Sequence, residues 1–133
     1  MILTDAGPLI ALLRADDAWH ASCVEAARKL LGPMVTVWPA FTEAMHVVAT
    51  WRAQRALLQL LEEKALKLLS LGEENVPRIR ELMEQYQDTP MDLADAALVC
   101  VAERERVTKI FTLDRRGFSA YRMRGGRRFR VVP

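Results

Sequence analysis

The stretch MILTDAGPLI, residues 1–10, decides how the rest of the chain is read. A short apolar run, Met1 to Leu3, passes through Thr4 to a carboxylate, Asp5, and then into Gly7, Pro8 and an aliphatic segment of helical character. In open α/β sheets the carboxyl end of a strand, where the chain turns into a helix, is where functional groups are displayed. Asp5 therefore has two readings. It is either a functional acid at a strand end or the N-cap of the helix that follows, a position for which Asp is strongly preferred.

Working outward, strand and helix signals alternate. Pro8 to Ala15 reads as a short helix, and Asp17 as the N-cap of a second helix that runs to Leu31 and stops at Gly32 and Pro33. Met34 to Val37 reads as a buried second strand. Pro39 opens a third helix at its first turn, where a missing N–H is harmless. Trp51 and Arg52 mark an end or bend before a further helix, Ala53 to Lys64, and Leu66 to Leu71 reads as a third strand closed by Gly72. Glu73 to Gln87 carries Val76, Ile79, Leu82, Met83 and Tyr86 along one helical face. A turn at Asp88, Thr89 and Pro90 precedes a largely buried helix, Asp92 to Arg106. KIFTL, residues 109–113, reads as a fourth strand ending at Asp114, and Phe129 to Val132 as a fifth. Such alternation argues for parallel βαβ crossovers in one α/β domain spanning residues 1–133.

Composition agrees with a soluble globular protein: 51% hydrophobic and 27% charged residues, with no disorder signature. The net charge of +2 says little, but its distribution is uneven. Arg115, Arg116, Arg122, Arg124, Arg127, Arg128 and Arg130 crowd the C-terminal end, and a one-sided arginine cluster suits phosphate-bearing partners. Cys23 and Cys100 lie in apolar helical segments without metal-like spacing, so two buried thiols in a reducing cytosol are expected. No apolar run reaches the ~18 residues of a membrane span, and no signal-peptide pattern opens the chain. A cytoplasmic protein without membrane contact is the expectation.

The acids can now be sorted by position. Asp5 ends strand one, Glu43 lies in the helix after strand two, Asp92 and Asp95 open the buried helix, and Asp114 ends strand four. Residues just past the ends of parallel strands share one edge of the sheet, so these acids are expected to converge. Two carboxylates at ~4 Å repel by ~4 kcal/mol at an effective dielectric of 20, and something must offset that. A divalent cation does so without sacrificing the charges. Hard oxygen ligands favour Mg²⁺ or Mn²⁺ over Zn²⁺, and metal-assisted phosphodiester hydrolysis is the chemistry that follows, with the arginine-rich end holding a polyanion.

The segments TDAGPLIALL (4–13), TEAMHVV (42–48), MDLADAALVCVAERERV (91–107) and IFTLDRRGF (110–118) together resemble the PIN-domain ribonucleases, especially the VapC-like toxins of toxin-antitoxin pairs. Each motif alone is weak; four in order are specific. The resemblance implies a three-layer αβα fold with a parallel sheet of four to five strands, and an Mg²⁺- or Mn²⁺-dependent endoribonuclease acting on single-stranded RNA or structured loops. It also implies a small cognate antitoxin as partner, and a homodimer. Carried over by motif, Asp5, Glu43, Asp95 and Asp114 are the catalytic acids. Asp5, Asp95 and Asp114 would bind metal, with Glu43 and Asp92 as auxiliaries. One departure is Gly7, where relatives often carry a hydroxyl; Thr112, beside Asp114, is the candidate to support the acids instead.

Each of these residues has a plainer reading. Asp95 sits in an apolar helix, where an unpaired carboxylate is costly and requires a ligand or partner. Asp92 reads equally as an N-cap or an outer ligand, and Asp114 as a ligand or the start of the turn DRRG. Arg115 and Arg116 contact RNA phosphate or form a solvated turn. Glu43 and His46 spell Glu-x-x-His, but the di-iron bundles that use this pair need a second copy, so His46 is expected packed or hydrogen-bonded near the site and His20 exposed. Trp38 and Trp51 are expected in the core or an interface rather than as base-stacking platforms, since neither lies in a basic stripe. A phosphatase of the haloacid-dehalogenase type needs a second Asp where Gly7 stands. A catalytically silent RNA-binding or protein-interaction module is the remaining alternative.

Overall fold

The computed structural model describes all 133 residues. Five strands, β1 (Ile2–Thr4), β2 (Met34–Thr36), β3 (Leu66–Leu68), β4 (Lys109–Phe111) and β5 (Arg130–Val132), form one sheet in the order β3-β2-β1-β4-β5. Every neighbouring pair is parallel, as in Leu3 opposite Val35 and Thr4 opposite Phe111. The strand order steps outward from β1 in both directions, so the switch point lies at β1, where ligands of open α/β sheets bind.

Period-two alternation sends adjacent strand residues to opposite faces. Leu3, Val35 and Ile110 enter a core of 20 buried residues shared with α6 (Leu93–Glu105), while partly buried residues of α5 (Val76–Gln85) pack against it. Ile2, Phe111 and Leu66 face the other way, against α1 (Ala6–Leu13), α2 (His20–Lys29), α3 (Trp38–Val48) and α4 (Trp51–Glu62). This is the expected three-layer αβα arrangement. All residues from Ala94 to Ala102 are buried: with the sheet below and α3 and α5 beside it, α6 has no solvent face in its middle, which is why the sequence is apolar all round. No helix is long and apolar enough to cross a membrane.

Several boundaries differ from the sequence reading. The first helix begins at Ala6, not Pro8; Pro8 is its third residue, where the N–H has no intrahelical acceptor. Asp17 does not cap α2, which starts at His20; its Oδ1 accepts the Trp19 N–H at 2.8 Å in a turn just before the helix. Trp51 opens α4 rather than closing α3, because Ala49 at φ 60° breaks the helix and the Thr50 hydroxyl caps the next one on Ala53 N–H. β3 stops at Leu68. A short helix, α7 (Arg115–Ala120), stands where a turn was expected. His20 is half-buried, its ring nitrogen 2.7 Å from the Ala11 carbonyl oxygen, and not exposed. Trp38 and Trp51 are 57% and 65% exposed, so neither belongs to the core. Cys23 and Cys100 are buried free thiols, as expected.

Candidate active site

Asp5 stands one residue past β1 and keeps its backbone N–H on the Phe111 carbonyl of β4, which fixes it at the sheet's C-terminal edge. Its two carboxylate oxygens divide the work. Oδ1 accepts the Ala6 N–H at 2.8 Å and caps α1, and Oδ2 accepts the Thr112 hydroxyl at 2.7 Å. The same Thr112 oxygen accepts the backbone N–H of Asp114 at 3.0 Å. One fully buried hydroxyl therefore ties the ends of β1 and β4 and sets the spacing of Asp5 and Asp114.

Asp92 and Asp95 open α6 in a reciprocal capping box: Asp92 Oδ1 accepts the Asp95 N–H at 2.9 Å, and Asp95 Oδ2 accepts the Asp92 N–H at 3.1 Å. Asp95 Oδ2 also accepts a long hydrogen bond, 3.4 Å, from the hydroxyl of buried Tyr121. Asp114 caps α7 through Oδ1 on the Gly117 N–H at 3.0 Å. A Cβ on Gly117 would lie 2.2 Å from Asp114 Oδ2 and 3.1 Å from the Tyr121 hydroxyl, so only glycine lets Asp114 and Tyr121 approach there. Every one of these acids is thus held by a helix start, where backbone N–H groups and the helix dipole favour negative charge.

Glu43, one turn into α3, is solvent-exposed and shares a trough with Asp92. The electrostatics show that the acids share one region. Burial pushes the Asp5 carboxyl above its usual range despite the hydrogen bonds from Thr112 and Ala6, and the charges of Asp92 and Asp114 add to that push. Asp95 is raised from 3.8 to about 7, mainly by burial and further by Asp92 and Asp5. Glu43, although mostly exposed, is raised by partial desolvation and by the charges of Asp5 and Asp92. Burial, with the charges of Asp95 and Asp114, keeps Tyr121 protonated and therefore a donor. Although the five acids feel one another, no three of them close around a common point as a ready-made ligand shell; like charges keep apart, and several oxygens are turned to helix caps. None is paired with Lys or Arg, since every ion pair lies elsewhere.

A PIN-domain family model matches residues 2–123. Ribonuclease VapC26 of Mycobacterium tuberculosis is 34% identical over 135 residues, covering 99% of this chain and 100% of that protein. The chain belongs to the PIN-domain family. Its likeness to VapC26 places it among the VapC-like ribonucleases. Two solved structures share the fold at lower identity. M. tuberculosis VapC20, described as a sarcin-ricin-loop-cleaving toxin, superposes with a TM-score of 0.81 at 15% identity, covering 88% of this chain and 92% of that one. A chain of a toxin-antitoxin complex from Klebsiella pneumoniae gives 0.73 at 16% identity, covering 100% and 97%.

In this PIN domain Asp5, Thr112 and Asp114 are directly connected, Asp92 and Asp95 form a second connected pair, and Glu43 joins them through charge. The arginines separate. Arg116 lines a cavity of about 280 Å³ beside Asp114, together with Asp88 and Thr89. Arg115 is turned to the carbonyl oxygen of Pro133. Arg122 donates to the backbone carbonyl oxygens of Ser119, Ala120 and Tyr121, and Arg124 pairs with Glu81 and Glu103. The arginine-rich end is thus only partly available to a ligand. His46 is exposed, not packed, and lines the trough with Glu43. Sequence reasoning missed Tyr121 and Gly117. Nothing marks Tyr121 locally, whereas a glycine three residues after a strand-end Asp, where a helix N-cap bonds the N3 amide, is a usable signal for Gly117.

Proposed function

We propose that this VapC-like ribonuclease hydrolyses RNA phosphodiester bonds at the acid cluster, with Asp5, Asp95 and Asp114 as ligands for Mg²⁺ or Mn²⁺ and Glu43 and Asp92 as auxiliary acids. The observation that carries this is two 9%-exposed carboxylates, Asp5 and Asp95, beside three further acids and without any basic partner. The donor set is all hard oxygen. Mg²⁺ is commonly held by one or two carboxylates and keeps several waters, so the acids fit such an ion without a closed cage. Bound there, it supplies Lewis acidity to a phosphoryl oxygen and lowers the pKa of a water for attack. Thr112 fixes the Asp5 carboxylate, so that Asp5 and Asp114 present oxygens from two strands at one spacing. Tyr121 holds Asp95, and Glu43, exposed in the trough beside Asp92, is the acid we assign to accept the proton of an attacking water. Arg116 is the cation best placed for a phosphate beside Asp114.

As the toxin of a pair, the chain acts in the cytoplasm, is neutralised by a small cognate antitoxin and pairs with a second copy of itself. The K. pneumoniae neighbour, solved as a toxin-antitoxin complex, supports the partner reading. The decisive experiment is cleavage of labelled single-stranded RNA by the purified chain. Cleavage should need Mg²⁺ or Mn²⁺, stop in EDTA and be absent in Asp5→Ala. Cleavage that persists in EDTA or in Asp5→Ala sinks the metal mechanism. Expression alone should arrest growth and co-expression with the antitoxin relieve it.

A further inference from the structure

We infer that Trp38 is a stacking platform for one unpaired nucleobase of the RNA, next to the nucleotide whose phosphate lies at the acid cluster. This rests on the reading of that cluster as the cleavage site. Only Val37 separates β2 from Trp38, so the indole starts α3 at the same sheet edge that carries Asp5. It is 57% exposed, an unusual place for the largest apolar side chain. The ring is held all the same: buried Phe41 meets it edge-to-face, centroids 5.7 Å apart and planes at 79°. Leu93, the residue after Asp92, is 52% exposed and lines the same trough as Trp38.

The trough has a volume of about 620 Å³, and its polar lining is Thr42, Glu43, His46 and Asp92. That volume lies within the range of small-ligand pockets. Its occupant must be flat and apolar on one side to cover Trp38 and Leu93. It must also carry no negative charge, because no Lys or Arg lines the trough, and it must carry hydrogen-bonding edges for Thr42, Glu43 and His46. A nucleobase meets all three conditions. RNA bound with a phosphate at the acids has its neighbouring base within this trough's reach, because Glu43 and Asp92 belong to both. The lack of a basic stripe around Trp38, which argued against stacking from sequence, is no obstacle: stacking uses the π-face and tolerates any base.

The test leaves Trp38 as the only tryptophan, through Trp19→Phe and Trp51→Phe, and adds Asp95→Asn so that RNA is bound and not cut. A short single-stranded oligoribonucleotide should quench Trp38 emission, and a single abasic substitution at one position should remove the quench while phosphate-driven binding persists. In the chain with all other residues intact, Trp38→Ala should weaken RNA binding roughly 5- to 150-fold, the range implied by ~1–3 kcal/mol per stacked base. Trp38→Phe should recover part of that. No quench, or a quench indifferent to every abasic position, overturns the assignment. So does Trp38 emission that follows protein concentration instead of RNA, which would put a second copy of the chain on this face. Retained cleavage with no stacking signal refutes Trp38 alone, whereas a chain that neither binds nor cuts single-stranded RNA refutes the cleavage-site reading as well.

Discussion

Asp95→Asn should separate stability from activity in opposite directions, and the structure supplies the size of the effect. Asp95 is 9% exposed and its pKa is raised from 3.8 to about 7, first by burial and then by the charges of Asp92 and Asp5. An acid whose pKa is higher in the folded than in the unfolded chain binds its proton more tightly when folded. The cost of burying Asp95 is therefore smallest below about pH 4 and grows as pH rises from 3.8 to about 7. At ~1.4 kcal/mol per pH unit that interval corresponds to roughly 4 kcal/mol. The asparagine amide keeps the shape. Its carbonyl oxygen can accept from the Asp92 N–H and the Tyr121 hydroxyl, and its NH₂ group carries no negative charge for Asp92 and Asp5 to repel. Without divalent metal at pH 8, Asp95→Asn should be more stable than the parent chain by about 2–4 kcal/mol, with a Tm gain of roughly 3–5 °C per kcal/mol for a chain of this size. At pH 4 the gap should close. Urea and thermal unfolding in EDTA at pH 4, 6 and 8 measure this directly. Mn²⁺ at a hundred times its Kd should return ~2.7 kcal/mol to the parent chain and little to the variant, which should not cut RNA. A variant less stable than the parent at pH 8, or a gap that ignores pH, refutes the burial argument.

Other perturbations probe the supports of the site. Thr112→Val keeps the volume but removes the donor to Asp5 Oδ2 and the acceptor of the Asp114 N–H; unfolding should show a loss of about 1–3 kcal/mol, and cleavage should fall even when the variant is fully folded. Gly117→Ala puts a methyl group 2.2 Å from Asp114 Oδ2, so Asp114 must swing away, and cleavage and Mn²⁺ affinity measured by calorimetry should both drop. Arg116→Ala should reduce the slope of log K for single-stranded RNA against log salt by about 0.7, the value of one phosphate contact. Arg124→Ala should leave that slope unchanged, because Arg124 is engaged with Glu81 and Glu103.

The order of elements was legible because it depends on local signals. Alternating apolar runs and turn residues marked all five strands, and the uninterrupted apolar stretch of α6 marked the most buried helix. What blurred was where helices begin. Asp17 and Trp51 carry signals compatible with either side of a boundary, and only the break at Ala49 and the Thr50 cap resolve the second case. The helix α7 was hidden in DRRG because six residues hold too little periodicity to stand out from a turn.

The sequence by itself determined that Asp5, Asp92, Asp95 and Asp114 sit at strand ends and helix starts, with Glu43 inside the helix that follows strand two, since parallel βαβ topology sends strand ends and helix starts to one edge. It also left Asp5 open between helix cap and functional acid. Only the tertiary structure decided that it is a cap and more: Oδ1 serves α1 while Oδ2 meets a hydroxyl 107 residues away, on Thr112. The same holds for Tyr121 on Asp95, for the arginines already engaged, and for Trp38 outside the core. Topology can be read from nearest neighbours in the chain, whereas the pairing of particular atoms depends on packing between segments that have no sequence relation to one another.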